Sequence, residues 1–267
     1  AGERLSFTVA RDGETLVAPS EMALTLSTGE VLGEAPRVRS ARRRAVSETI
    51  DAPLYRQSRF DAAYNELDLR LRGDYGILAR AYDDGVCYRF YTERDGELTI
   101  VDETAQLNFE GDPSAYIPYS KTEIPMQTSF ENTYEYAPLS KFRTQTVAFM
   151  PVLVDLGERG YVLYTESDVE SYPGVYLTYD KEARGFAARF AEYPTETSLT
   201  KRFQDVVERS ADYIARVDGR RSYPWRIVAY AATATELPVN DMVWQTAEAS
   251  RVADASWVRD GKIAWDW

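Results

Sequence analysis

The tripeptide Asp83-Asp84-Gly85, set between two runs of aromatic and aliphatic residues, constrains the fold of this chain more than any other feature. Asp-Gly favours the positive-φ turns whose twist matches that of two flanking strands, so the segment reads as a tight hairpin. Residues Gly76 to Tyr82 and Val86 to Tyr91 are then antiparallel neighbours. The same grammar recurs elsewhere. Leu5, Phe7 and Val9 alternate with small or polar residues before the turn Arg11-Asp12-Gly13-Glu14, and Thr15 to Val17 returns from it. Met22, Leu24 and Leu26 alternate next, and Leu67, Leu69 and Leu71 alternate until Gly73-Asp74 ends the run. Period-2 spacing places alternate side chains on one face, as in strands half-buried in a sheet. Leu98 to Val101 and Ala105 to Phe109 add further extended segments. Nineteen Tyr, ten Phe and five Trp in 267 residues suit a pleated, half-buried surface. The expected fold is all-β: a large antiparallel β-sandwich with minor helical segments.

Four stretches carry more specific expectations. Arg37 to Arg44 is basic and reads as an exposed loop or edge strand whose arginines discourage pairing with another chain. Tyr116 to Leu139, rich in Pro, Ser, Thr and Tyr, reads as a long surface excursion. Val147 to Val154 is the most continuous apolar run and suits a central strand buried on both sides, with Pro151 marking a bulge or a strand start. Phe203, Val206, Val207, Tyr213, Ile214 and Val217 fit a helical face, which predicts a helix there that gives way to extended chain from Ala211.

Composition excludes several chemistries. The chain has no histidine, which removes Ser-His-Asp and Cys-His catalysis and histidine-based zinc sites. The single Cys87 lies in an apolar strand pattern and reads as a buried small hydrophobe with no intrachain disulfide. A net charge of −12 argues against nucleic-acid backbones and anionic membranes as partners. No apolar run approaches ~20 residues, so no membrane span is expected. Ala1-Gly2-Glu3 lacks the features of a signal peptide, which was either removed or never present. The Asp83-Asp84 pair looks catalytic on paper, but turn chemistry explains it without any function.

Glu166, Asp168 and Glu170 alternate between the apolar run Tyr161 to Tyr164 and the turn Pro173-Gly174. On an extended backbone they fall on one side. Such a group of carboxylates suits a hard cation or sugar hydroxyls, or else a solvated strand face; the pattern alone favours the solvated face.

Spaced phrases then tip the balance. The hairpin Arg80-Ala-Tyr-Asp-Asp-Gly-Val-Cys-Tyr-Arg-Phe90, the segment Thr165-Glu-Ser-Asp-Val-Glu-Ser-Tyr-Pro-Gly174, the strand Tyr223-Pro-Trp-Arg-Ile-Val228 and the tail Trp257 to Trp267 resemble, in this order along the chain, phrases of glycoside hydrolase family 97. Cys87 stands where that family's pattern leads one to expect Ala. The resemblance implies a galactose-mutarotase-like sandwich over residues 1–250. Residues 251–267 would be a linker leading toward a catalytic (β/α)8 barrel of an α-glucosidase or α-galactosidase, with the catalytic carboxylates on the barrel and none here. It also implies that Glu166 is a ligand to an active-site calcium, that the partners are that barrel and an α-linked oligosaccharide, and that the compartment is periplasmic or extracellular. An autonomous carbohydrate-binding module is the competing expectation; a free-standing mutarotase-like enzyme would call for histidine.

Overall fold

The hairpin at Asp83-Asp84-Gly85 forms, and the strand that leaves it organises the molecule. The computed structural model describes residues 3–52, 55–121, 132–201, 205–259 and 261. In chain order the strands are β1 (Ser6–Arg11), β2 (Glu14–Leu26), β3 (Val31–Leu32), β4 (Val38–Asp51), β5 (Arg59–Leu71), β6 (Tyr75–Tyr82), β7 (Gly85–Asn108), β8 (Ser114–Ile117), β9 (Glu135–Pro138), β10 (Val152–Asp155), β11 (Tyr161–Ser167), β12 (Tyr176–Asp180), β13 (Gly185–Arg189), β14 (Pro194–Leu199), β15 (Asp205–Ser210), β16 (Ala215–Ser222) and β17 (Trp225–Ala231). One short helix, α1 (Met242–Thr246), follows. Every pairing between these strands is antiparallel.

β7 belongs to both layers of the sandwich. Its first residues, from Gly85, pair with β6 and β17, in the layer ordered β4-β5-β6-β7-β17-β11-β10-β8-β9. Its last residues, to Asn108, pair with β2 and β13 in the second layer, while β16 follows its middle. A straight strand of 24 residues would run about 80 Å, so β7 has to bend. The bend is built at Arg94-Asp95-Gly96. Glu97 faces Asp218 and Glu93 faces Arg220, leaving three residues of β7 opposite Gly219 alone. Gly96 holds a φ of 79°, and a Cβ on Gly219 would stand 2.6 Å from the carbonyl oxygen of Arg94. A bulge with glycine on both sides bends the strand that carries it.

The core lies between the layers. Leu24, Ile100, Leu107, Leu177 and Phe186 meet Val162, Tyr164 and Val217 in one apolar cluster. A smaller cluster of Cys87, Trp225, Ile227 and Ala229 lies on the outer face of the first layer, closed by Met242 of α1. Alternation along β17 separates the two: Trp225, Ile227 and Ala229 face out, while Arg226 and Val228 face in.

Several expectations hold. β4 is an edge strand that carries Arg39, Arg42, Arg43 and Arg44, exposed over nearly its whole length and paired with β5 alone among the described residues. Cys87 is buried, and desolvation pushes its thiol up to about 12, so it behaves as a small hydrophobe. Others are corrected. The segment read as a helix is β15, hairpinned with β14 through Val206 opposite Ser198 and Val207 opposite Thr197. Its β-branched residues favour extended backbone once a local partner strand is available, and the apparent helical spacing had no helix to report. Phe203 lies outside the described residues. Val147 to Val154 is not one strand: β10 begins at Val152, directly after Pro151, which has no N–H to offer a ladder. The excursion from Tyr116 to Leu139 includes two paired strands, β8 and β9, and its residues 122–131 lie outside the described residues. Trp257 is 73% exposed; Trp265 and Trp267 lie outside the described residues.

Gly219→Ala should cost about 1–3 kcal/mol through overpacking against the bulge, read as a lowered urea midpoint. An unaltered midpoint would remove the bulge from the role given to it.

Candidate functional site

Glu166 and Arg226 are directly opposed on β11 and β17. Side chains opposed in an antiparallel pair share a face, and here that face is the interior. Arg226 is 1% exposed, and each of its three guanidinium nitrogens donates to a carboxylate. Its Nη1 donates to Glu166 Oε2 at 2.5 Å. Its Nε and Nη2 donate to the two carboxylate oxygens of Glu103 at 2.8 and 2.7 Å, a fork-to-fork pair. Glu103 belongs to the second-layer half of β7, opposite Leu24. One arginine therefore ties the two layers together through ions.

The charges of this trio sum to −1. Burial by itself would lower the Arg226 pKa, but the charge and hydrogen bonds of Glu103, and then Glu166, carry it well above the ordinary arginine value. Arg226 is thus a permanent cation. Desolvation pushes the Glu166 carboxyl up, with Arg226 and the backbone N–H of Val175 pulling against it. That N–H donates to Glu166 Oε1 at 3.0 Å, so each carboxylate oxygen has one donor. A Cβ on Gly174 would lie 3.2 Å from the same oxygen, and glycine there leaves the carboxylate its place. The Glu166 side chain keeps 13% of its surface open.

The structure separates the three acids that alternate in sequence. β11 ends at Ser167, and Asp168 takes a φ of 55°, so the period-2 reading stops after Glu166. Asp168 turns to the outer face, where Arg89 Nη1 approaches at 3.4 Å and the backbone N–H of Glu248 donates to it at 2.9 Å. Burial pushes the Asp168 carboxyl up. Exposed Glu170 pairs with Arg251 at 2.5 Å, which lowers its pKa. Among the described residues no group of three or more His, Cys, Asp or Glu side chains is arranged to hold a metal.

The outer side of this corner is equally ordered. Trp225 is wholly buried with the guanidinium of Arg89 4.4 Å from its ring centroid and that of Arg80 at 4.8 Å. Arg80 is balanced by Glu66 at 3.0 Å. α1 is anchored alongside through Thr246, whose hydroxyl lies 2.7 Å from that of Ser167. The chain after α1 is held by Asp168 and Glu170, through Glu248 and Arg251, four residues or fewer in sequence from Glu166.

Calcium takes about six to eight oxygens, more than Glu166 offers by itself. Glu166 fits as one ligand of a shared site: its carboxylate is partly open, each oxygen has a lone pair to spare, and the buried trio has an anionic excess for a cation to offset. The Asp83-Asp84 pair has no such setting. Asp84 accepts from Asn240 Nδ2 at 2.9 Å in the hairpin, with Asp241 nearby raising its pKa after burial has done most of it. Glu103 and Arg226 were not singled out by sequence reasoning. The signal available was Arg226 within the Pro-Trp-Arg phrase, whose partner could not be read from spacing.

The family description glycosyl-hydrolase 97 N-terminal matches residues 1–248. Over 274 residues the chain is 36% identical to a retaining alpha-galactosidase of Bacteroides thetaiotaomicron, covering 100% of this chain and 41% of that protein. It is 29% identical over 270 residues to a probable retaining alpha-galactosidase of Streptomyces bingchenggensis, covering 98% of this chain and 37% of the relative. Among solved structures it resembles a glycoside hydrolase family 97 enzyme in complex with acarbose from Pseudoalteromonas, with TM-score 0.78 and 14% identity over 96% of this chain and 37% of that one. A crystal structure of beta-arabinopyranosidase matches with TM-score 0.72 and 19% identity, over 86% of this chain and 37% of that one.

Asp84 yields a pH-dependent outcome. Its raised pKa means that its contribution to stability is fully present below the unfolded value of 3.8 and is lost as pH rises through the folded one. Asp84→Asn, which keeps the turn chemistry, should flatten that part of the curve of urea stability against pH. Superimposable curves for the two proteins would contradict the assignment.

Proposed function

We propose, for a chain that belongs to glycoside hydrolase family 97 as its N-terminal domain, that it acts in a longer enzyme as a non-catalytic sandwich which packs on the catalytic domain and lends Glu166 to a calcium ion at the active site. The whole enzyme is read as a retaining α-galactosidase, on the names of the two curated relatives. The observation that carries the proposal is the corner at Glu166. The Glu166 side chain, its carboxylate held from inside by Arg226, keeps 13% of its surface open, and within four residues of it in sequence Asp168 and Glu170 fasten the chain beyond α1.

The chemistry fits this division of labour. The chain has no histidine, and its buried acids are bound to arginines, so the acid and nucleophile carboxylates of a retaining mechanism belong to the remainder of the enzyme. A bound calcium supplies a fixed positive charge that polarises a sugar oxygen. Glu166 would hold the ion's near side, and the outer-face layer of Trp225, Arg80 and Arg89 would stiffen the strand that presents it.

In the full-length enzyme, Glu166→Gln should weaken calcium binding by at least ~10-fold and lower turnover of a nitrophenyl α-galactoside together with it. Calorimetric titration with calcium and steady-state kinetics read the two effects; unchanged calcium affinity would remove Glu166 from the site.

A second reading, a carbohydrate-binding module, draws support from Tyr116 and Tyr136. These exposed rings on β8 and β9 have centroids 4.7 Å apart and would offer apolar faces to a sugar. Titration of the 267-residue chain with galactosides and maltooligosaccharides should give no heat; millimolar or tighter binding abolished by Tyr136→Ala would favour the module.

A further inference from the structure

We infer that Arg226 is a positioning residue for Glu166, and that Glu103 and Gly174 serve the same end, so that the metal-facing carboxylate is set in place by this domain before any cation arrives. The inference rests on the reading of Glu166 as a calcium ligand and concerns what aims that ligand.

Three contacts define the aim. Arg226 Nη1 holds Oε2, the Val175 N–H holds Oε1, and the missing side chain at Gly174 leaves the space that Oε1 occupies. A glutamate has three side-chain torsions to order. Two donors on separate elements, one a strand side chain and the other a backbone amide past the Pro173-Gly174 turn, leave it one orientation. Arg226 could also draw Glu166 away from a cation, since a lone buried Arg-Glu pair is neutral and complete. Glu103 prevents that. Its bidentate pair takes Nε and Nη2, leaving Glu166 a single hydrogen bond from Nη1 and the trio one negative charge in excess. Glu103 is 4% exposed; its carboxylate pairs with Arg226, and the Tyr172 phenol lies beside it. Burying a carboxylate to bind an arginine that already has a partner adds a desolvation cost that a purely structural pair would not need. The excess charge has a use if a cation is to sit at the open edge of Glu166. Groups that orient metal ligands in this way typically affect affinity about 10–100-fold when altered.

Four variants of the full-length enzyme test this, each titrated calorimetrically with calcium after metal removal, with Glu166→Gln as the reference. Gly174→Ala disturbs no charge and has no positive φ to violate; it pushes only on Oε1 and should raise the calcium Kd about 10-fold. Glu103→Gln removes the excess charge and frees Arg226 to engage Glu166 more fully, with a similar rise. Arg226→Lys keeps the cation and loses the fork, and should bind calcium less well than wild type but better than Arg226→Met. Near-UV circular dichroism of each metal-free protein establishes that it is folded, and Gly174→Ala keeps the test decisive if the charge variants do not fold. Wild-type calcium affinity in folded Gly174→Ala and Glu103→Gln, beside weakened binding in Glu166→Gln, would overturn the inference and leave the ligand assignment standing. A lowered melting temperature with unchanged calcium affinity would likewise assign Arg226 a structural role alone. Wild-type affinity in Glu166→Gln would end the ligand assignment, and the inference with it.

Discussion

A guanidinium with almost no exposure to solvent, shared by two carboxylates from different layers, is the interaction on which this structure turns. Taking a charge out of water costs several kcal/mol even after relaxation, and deleting one partner of a buried pair commonly destabilises by about 3–5 kcal/mol. Arg226 meets that cost with three charge-assisted hydrogen bonds and with Phe190, whose ring centroid lies 5.5 Å away. The geometry works for one relative placement of β11, β17 and the second half of β7. The trio therefore ties layer spacing to strand register, and fixes both at the place where Glu166 meets solvent.

The strand β7 makes that placement available. A single segment that pairs with β17 near Tyr88 and with β2 near Glu103 carries both sides of the sandwich on one backbone, and Glu103 of its second half meets Arg226 in the interior. On the reverse side, Trp225 is held between Arg80 and Arg89, and α1 closes over it. Adjacent residues of β17 thus serve opposite faces: one packs the chain's later segment against the sheet, the next organises the interior. The corner is packed and ion-paired from both sides, an arrangement that would suit the role proposed for Glu166.

Legibility followed locality. Asp83-Asp84-Gly85, the Leu67-Leu69-Leu71 alternation and the exposed arginines of β4 were readable because turn chemistry, pleat and edge position act over a few residues. The misreadings have equally local causes. Val206 and Val207 fit a helical spacing by accident, since the residues that pair with them, Ser198 and Thr197, lie in a polar run with little apolar signal of its own. Val147 to Val154 looked continuous on hydropathy, although Pro151 marked the strand start that the structure has at Val152. Glu166, Asp168 and Glu170 looked like one cluster because alternation assumes that the strand continues, and the strand stops at Ser167.

What the amino-acid sequence determined unaided was an antiparallel all-β domain, with its hairpins, its buried thiol and its lack of histidine chemistry, all properties of neighbouring residues or of composition. The tertiary structure alone decided that Glu166 would be an inward-facing carboxylate tied to Arg226, sixty positions away, and through it to Glu103, 123 positions from that arginine. Strand order and register bring such residues together. They depend on how two layers share a core, and no spacing within a single strand encodes them.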